Sequence, residues 1–234
     1  MSAGLLRFAQ FMRTAERQEV RVPEAGLHQA RGWSPEEFAR AQVRGLVRQV
    51  FFSQRERPVR QVVFSSASAE TDVRSVCLRV AEALALETRE SVAVAGEYPE
   101  PSRNAEADFA RRPAVGEGAS LRKTASRLRS NLWRLHFAEN SADEAAGELH
   151  RHLSQIRREF EYSVVEAPQV GAATQTVEMA QFADGLVLGL SAEHTRRVTA
   201  YKIKEMLQGA QVRMLGTVLC DREFPIPEGI YRRL

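Results

Sequence analysis

The stretch Gln61 to Leu86, QVVFSSASAETDVRSVCLRVAEALAL, contains an apolar strand, a polar turn and an amphipathic helix in that order. The strand is predicted over residues 62–66, and the helix is predicted because apolar residues recur at helical spacing: Val73, Val76, Cys77, Val80, Ala81 and Leu84. A helix that begins directly after a buried strand has the outline of a phosphate-binding unit. The turn contains neither glycine nor lysine. This stretch therefore raises the question of whether its helix N-terminus still binds an anion.

The composition predicts one globular domain. The chain has 234 residues, of which 44% are hydrophobic and 27% are charged, and this is enough for one sizeable core. We expect a partly ordered N-terminal arm over residues 1–33 and a single domain over residues 34–234. No apolar run is long enough to span a membrane, and the N-terminus lacks the order of a signal peptide. These features predict a cytoplasmic protein.

The positive charge comes almost entirely from arginine. The net charge is +3, and the only lysines are Lys123, Lys202 and Lys204. The arginines are interleaved with aspartate and glutamate, which favours solvated helix faces over a nucleic-acid-binding stripe. No lysine precedes residue 123, so the turn after the first strand has no lysine for a phosphate. Cys77 and Cys220 lie far apart without a partner motif, which argues against a disulfide or a zinc site.

Helices and strands alternate along the rest of the chain. A helix over residues 34–52 begins with an N-cap signature at Ser34, and it carries Arg40, Arg44 and Arg48 opposite its apolar stripe. Strands are predicted at residues 91–96, 131–138, 162–168, 185–191 and 212–220, with helices at residues 141–158, 176–183 and 195–210. This alternation predicts an α/β fold with a mainly parallel sheet and helices on both faces.

Three further segments carry a resemblance to a known family. They are FEYSVVEAPQV (160–170), QFADGLVLGLSAEHTRR (181–197) and RMLGTVLCDREFPIPEGIYRRL (213–234), and NLWRL (131–135) agrees with them. They resemble the cytoplasmic bacterial tyrosine kinases of capsule and exopolysaccharide biosynthesis. That family belongs to the deviant-Walker P-loop ATPases, a group that also contains chromosome-partitioning ATPases. The resemblance implies a three-layer, P-loop NTPase-like fold whose usual ligands are ATP and Mg²⁺.

The family's phosphate loop lies without a gap on SSASAETDVRS (65–75). Its glycines are replaced by Glu70 and Asp72, its lysine by Val73, and its Mg²⁺-binding hydroxyl by Arg74. Further along the chain, Glu97 stands at the second aspartate of a carboxylate pair, Glu166 replaces the Walker B aspartate, and Cys220 replaces an asparagine that helps to hold the base. The resemblance therefore implies a degenerate nucleotide site.

These replacements oppose ATP binding. Glycines allow loop N–H groups to converge on a phosphate, and the lysine neutralises it. One misplaced carboxylate about 4 Å from a phosphate costs about 4 kcal/mol, or roughly three orders of magnitude in affinity. We expect no cofactor, no catalytic residue and no metal site, and we expect substitutions at Glu70, Asp72 and Val73 to be tolerated. Asp72 also suits a helix N-cap, and Glu166 suits either a base or, more commonly, an ion-pair partner.

Two functions from different classes follow. The first is a catalytically inactive, kinase-like regulator or adaptor that uses Arg40, Arg44 and Arg48 to bind its partner. The partner would be a membrane-anchored polysaccharide chain-length regulator, another polysaccharide-assembly protein or further copies of the chain, at the inner face of the membrane, with no role for nucleic acid. The second is a tyrosine kinase or ATPase that binds ATP and Mg²⁺ in an altered site. Tyr231 is the candidate phosphoacceptor, although the family's cluster of tail tyrosines is missing.

Overall fold

A computed structural model describes residues 35–53, 57–96, 120–136, 146–171 and 174–220. The predicted arm over residues 1–33, the degenerate-site residue Glu97 and the candidate phosphoacceptor Tyr231 lie outside these ranges. Within them, no helix is both long enough and apolar enough to span a lipid bilayer.

The described helices and strands follow the predicted alternation. The helices are α1 (Pro35–Phe51), α2 (Val73–Glu87), the single turn α3 (Leu121–Thr124), α4 (Ala146–Glu159), α5 (Gln175–Phe182) and α6 (Arg197–Gly209). The strands are β1 (Gln61–Ser66), β2 (Val92–Gly96), β3 (Ser126–Arg129), β4 (Leu132–His136), β5 (Tyr162–Glu166), β6 (Gly185–Ser191) and β7 (Met214–Cys220).

The strands form one seven-stranded sheet in the order β3-β4-β2-β5-β1-β6-β7. All neighbouring strands run parallel except β3, which is antiparallel to β4 at one edge. The predicted α/β class with a mainly parallel sheet is therefore confirmed. Strand β1 lies in the interior between β5 and β6, which explains why its residues are buried on both faces.

Two apolar clusters cover the two faces of the sheet. Helices α1 and α2 bury residues such as Val47, Val80 and Leu84 against one face. Helices α4, α5 and α6 bury residues such as Leu153 and Leu207 against the other face. The predicted three-layer arrangement, with helices on both faces of the sheet, follows from these clusters.

Strand β4 lies within the predicted strand over residues 131–138, but strand β3, which pairs with it as a hairpin, and the short helix α3 were not predicted from the sequence. Three of the four residues of β3 are exposed, so this strand lacks the apolar alternation that marks a half-buried strand. Helix α3 is held by a distant carboxylate, because Glu159 accepts hydrogen bonds from Ser120 Oγ at 2.7 Å and from the Leu121 amide at 2.9 Å. Burial raises the pKa of Glu159, but these and neighbouring hydrogen bonds outweigh it and leave the pKa lowered.

Candidate functional site

The candidate site is the turn between β1 and α2, at the carboxyl ends of the central strands. The turn is attached to both neighbours of β1. The Ala67 amide donates to the carbonyl of Gly189 in β6 at 2.9 Å, and the Val170 amide, beyond β5, donates to the carbonyl of Ser66 at 2.9 Å. In open α/β sheets, ligands bind at this edge. The predicted strand-turn-helix therefore forms where a nucleotide phosphate would bind in this type of fold.

Two backbone amide groups in and next to the turn donate hydrogen bonds to carbonyl groups of the turn itself. The Thr71 amide donates to the Ser68 carbonyl at 3.3 Å, and the Val73 amide donates to the Thr71 carbonyl at 2.9 Å. The hydroxyl groups of Ser68 and Thr71 also hydrogen-bond to each other at 2.9 Å. A phosphate-binding loop instead directs such amides towards its anion. These two amides are already paired within the chain.

Asp72 caps helix α2, as predicted. Its carboxylate accepts hydrogen bonds from the Ser75 amide, at 3.0 Å, and from the Ser75 hydroxyl. These two hydrogen bonds lower the pKa of Asp72. Asp72 and Glu70 are both exposed. The positive end of the helix dipole is therefore matched by a carboxylate of the chain itself, which leaves less attraction for an external anion.

Val73, at the position of the family's lysine, belongs to the core. Its side chain is only 7% exposed and packs with the cluster beneath α1 and α2. A Cβ atom added to Gly189 of β6 would lie 2.9 Å from Val73 Cγ2, so β6 and α2 meet closely at this point. This burial argues against the expectation that Val73→Lys is tolerated, because the change would bury an ammonium group among apolar side chains.

Arg74 and Glu166 form an ion pair across the site. The Arg74 Nε atom lies 3.3 Å from Glu166 Oε1, and the Glu166 side chain is only 17% exposed. Glu166 is in register with Phe64 at the end of β1. The interpretation of Glu166 as an ion-pair partner is confirmed. By the resemblance, these are the positions of two Mg²⁺-binding groups, so a cation of the chain now accompanies the carboxylate.

Cys77 lies near Glu166 of this ion pair, and Cys220 ends the strand β7. Burial raises the pKa of the Cys77 thiol, and the negative charge of Glu166 raises it further. Cys220 is half-buried, and its carbonyl accepts a hydrogen bond from the Ala192 amide at 3.0 Å. The structure thus brings Asp72, Arg74, Glu166 and Cys220 to one edge of the sheet. The structure places Val73 in the apolar core instead.

Comparisons with known proteins agree with this architecture. No family model and no curated protein sequence matches the chain. The kinase domain of VpsO superposes with a TM-score of 0.61 at 18% identity, covering 80% of this chain and 98% of that one. The kinase domain of the Escherichia coli tyrosine kinase ETK superposes with a TM-score of 0.61 at 12% identity, covering 81% and 79%. The chain has the fold of these tyrosine kinase domains.

The chain also shares its fold with a wider group of ATPases. A ParA family ATPase from Chlorobium tepidum superposes with a TM-score of 0.53 at 11% identity, and the match covers 68% of this chain and 73% of that one. The predicted P-loop NTPase-like fold is therefore confirmed.

The residues described at this edge of the kinase fold do not fit a nucleoside triphosphate with Mg²⁺. Two amides of the turn are occupied by carbonyls of the turn itself. The position that the resemblance assigns to a phosphate-binding lysine is a buried valine, and Asp72 already occupies the helix N-terminus. The positions that the resemblance assigns to metal binding contain the Arg74–Glu166 ion pair. Each of these features occupies or replaces a group of the protein with which a nucleotide and its Mg²⁺ would otherwise interact.

We expect no binding of ATP at sub-millimolar concentrations, with or without Mg²⁺, for these reasons. Calorimetric titration is the direct measurement. A Mg²⁺-dependent dissociation constant below about 100 µM, equivalent to a binding free energy of about −5.5 kcal/mol, would contradict the expectation. Thermal unfolding gives an independent check, because a ligand at 100 times its dissociation constant adds about 2.7 kcal/mol to the free energy of unfolding.

The predicted partner-binding arginines lie together on the exposed face of α1. Arg44 Nε and Arg48 Nη2 lie 3.5 Å and 3.2 Å from carboxylate oxygens of Glu87, at the end of α2. Arg40 pairs with Glu36 of the same helix at 3.4 Å. All three arginine side chains remain mostly exposed. Two of them therefore also connect α1 to α2, a role that the sequence did not indicate.

The sequence predicted a strand over residues 131–138, but the run of positive charge from Ser120 to His136 was not recognised. This segment contains five arginine and lysine residues and no aspartate or glutamate. This run was overlooked because the basic residues of the whole chain are interleaved with acidic ones. Counting charge in short windows instead of over the chain would have found it.

Proposed function

We propose that this chain is a catalytically inactive, kinase-like regulator or adaptor in capsule or exopolysaccharide biosynthesis. The observation that carries the proposal is the Arg74–Glu166 ion pair, which occupies the positions that the resemblance assigns to metal binding in a chain with the kinase fold. A half-buried carboxylate that is already paired with a guanidinium has no need of Mg²⁺ to balance its charge. We propose accordingly that the chain uses no cofactor.

The family residues that the chain keeps support this proposal, because their contacts are structural. Asn131, from the NLWRL segment, donates through Nδ2 to the carbonyls of Ala85 and Thr88 at 3.0 Å. Asp184 holds the start of β1 through two backbone amides. Gly185 has a φ of +155°, and an added Cβ would lie 2.6 Å from the Arg213 carbonyl oxygen. Fold-determining residues are retained, whereas the nucleotide-binding positions are replaced.

The proposed partner is a membrane-anchored polysaccharide chain-length regulator or another protein of polysaccharide assembly. Further copies of the chain could join the same complex at the inner face of the membrane. Arg40, Arg44 and Arg48 form one positively charged row along α1, at four-residue steps. Such a row attracts an acidic partner surface and supplies several hydrogen-bond donors. Tyr231 stays the candidate acceptor for a phosphoryl group from a competent kinase.

Reversing the charge of this row of arginines should abolish partner capture. The variant Arg40→Glu, Arg44→Glu, Arg48→Glu replaces three donors by three carboxylates, so an acidic partner is repelled. The same change also places two carboxylates beside Glu87 and weakens the contact between α1 and α2. Adding Glu87→Arg gives a matched control, because it restores opposite charges between the helices while the exposed row stays negative. Co-purification of the membrane component and polysaccharide export in a deletion strain are the measurements.

We expect both reversed variants to lose capture and export, and we expect the one with Glu87→Arg to regain thermal stability. If that variant also regains capture, the arginines act by holding α1 against α2 and the proposed partner surface is wrong. Glu70→Ala and Asp72→Asn should leave export unchanged, because a site without catalysis has no rate to lose. If these two variants lose export while the charge-reversed variants keep it, the result supports the alternative function. That alternative is an enzyme that binds ATP and Mg²⁺ in an altered site.

A further inference from the structure

The segment from Ser120 to His136, which we call the basic hairpin, comprises α3, β3 and β4. Its positive residues are Arg122, Lys123, Arg127, Arg129 and Arg134. The net charge of the whole chain is +3, so the rest of the chain is net negative. The five charges are thus concentrated at one edge of the sheet, where β3 is the last strand. Such a concentration creates a local positive potential that the overall composition hides.

Two of the five cations have a structural role within the hairpin. The guanidinium carbon of Arg122 lies 4.9 Å from the ring centre of Trp133, and that of Arg127 lies 5.5 Å from it. Arg122 also donates to the Glu159 carbonyl at 2.7 Å, and Arg127 donates to the Ser130 carbonyl. These contacts hold the half-buried indole next to two cations. They also keep both positive charges at the surface, where each residue is exposed.

The other three cations are not neutralised by carboxylates of the described ranges. Lys123 and Arg129 are exposed, Arg134 is half-buried, and none of them forms an ion pair with a carboxylate in the described part of the chain. Basic residues on an edge strand often serve only to prevent pairing with another strand. That explanation covers Arg129 on β3. It does not cover Lys123 on α3 or Arg134 on β4.

Apolar groups lie among these charges. Leu128, between Arg127 and Arg129 on β3, is 38% exposed. Trp133 lies on β4 directly opposite Arg127. Cations combined with an exposed aliphatic side chain suit the interface of an anionic bilayer, where phosphates meet acyl chains. Nucleic acid fits less well. A two-stranded ribbon reads DNA by entering the major groove, whereas β4 is paired with β2 inside the sheet.

We propose that the basic hairpin binds the surface of a membrane that contains anionic phospholipids. Lys123, Arg129 and Arg134 supply electrostatic attraction to lipid phosphates, and Leu128 contacts the acyl boundary. The interaction goes beyond the proposed function, because it requires neither the partner protein nor an inactive nucleotide site. The outcome of a membrane-binding experiment is therefore independent of the outcome of the partner-capture experiment.

The test is flotation of the full chain with vesicles of phosphatidylglycerol and phosphatidylcholine in equal parts, compared with phosphatidylcholine alone. We expect binding only to the anionic vesicles, and we expect release at about 1 M NaCl, where the Debye length is about 3 Å. The variant Lys123→Gln, Arg129→Gln, Arg134→Gln should bind roughly 100-fold more weakly, at about fivefold per cation removed. The matched control is Arg79→Gln, Arg196→Gln, Lys202→Gln, which removes three exposed cations elsewhere and should bind like the parent.

Thermal unfolding of each variant shows whether the fold is kept. If the triple variant does not fold, Lys123→Gln with Arg129→Gln, both at exposed positions, replaces it, and about 25-fold weaker binding is expected. Failure of the parent to float with anionic vesicles would overturn the proposal. So would equal losses in the hairpin variant and its control, or binding to duplex DNA that needs the hairpin while vesicles are not bound.

Discussion

The variant Val80→Asp is expected to lose about 4 kcal/mol or more of its free energy of unfolding. Val80 lies in the middle of α2 and is 0% exposed. It belongs to the apolar cluster that α1 and α2 form on the sheet. An aspartate at this position must either bury an unpaired charge or bind a proton, and both cost free energy. The helix would separate from β1, β2 and β5, against which it packs.

Thermal unfolding measures this loss, and the melting temperature should fall by about 8 °C or more. Leu86→Asp is the matched control, because it makes a similar change in the same helix at a side chain that is 71% exposed. We expect the control to change the free energy of unfolding by only about 0.5 kcal/mol. Equal melting temperatures for Val80→Asp and the parent would show that α2 does not pack on the sheet as described.

The second large effect is expected for Asp184→Ala, at the start of β6. The Asp184 carboxylate accepts hydrogen bonds from the amides of Arg60 and Gln61, at 2.7 Å and 2.8 Å. It also pairs with Arg157 of α4 at 2.9 Å. Gln61 is buried, so removal of the carboxylate leaves its amide without this acceptor. We expect a loss of roughly 2–4 kcal/mol in the free energy of unfolding, measured by urea denaturation.

Glu161→Ala is the matched control for this prediction. Glu161 pairs with Arg60 at 3.0 Å, but both side chains are well exposed to solvent. A surface ion pair of this kind contributes less than about 1 kcal/mol. If Asp184→Ala and Glu161→Ala lose the same small amount, the hydrogen bonds to the start of β1 do not stabilise the fold. Retained stability in Asp184→Asn would show that the acceptor oxygen matters more than the charge.

Much of the fold could be predicted from residue patterns alone. The stripe from Val73 to Leu84 predicted α2, and Asp72 was recognised as its N-cap because both signals are local along the chain. Strand β3 escaped prediction because three of its four residues are exposed, and helix α3 escaped it because the group that caps it is remote along the chain. Glu159 caps α3 from 38 residues away, and Arg127 stacks on Trp133 across the strands. Periodicity carries no signal for such pairs.

For the candidate site, too, the sequence gives the residue types and the fold decides their contacts. The sequence by itself determined which residue types stand at the positions that the resemblance assigns to nucleotide binding, including a valine for the lysine and a glutamate for the Walker B aspartate. Only the tertiary structure decided that Arg74 pairs with Glu166, which is 92 residues away, and that Arg48 pairs with Glu87. The physical reason is that a charge is neutralised by whatever lies within a few ångströms. That neighbour is set by the order of the strands in the sheet and by the packing of the helices upon it.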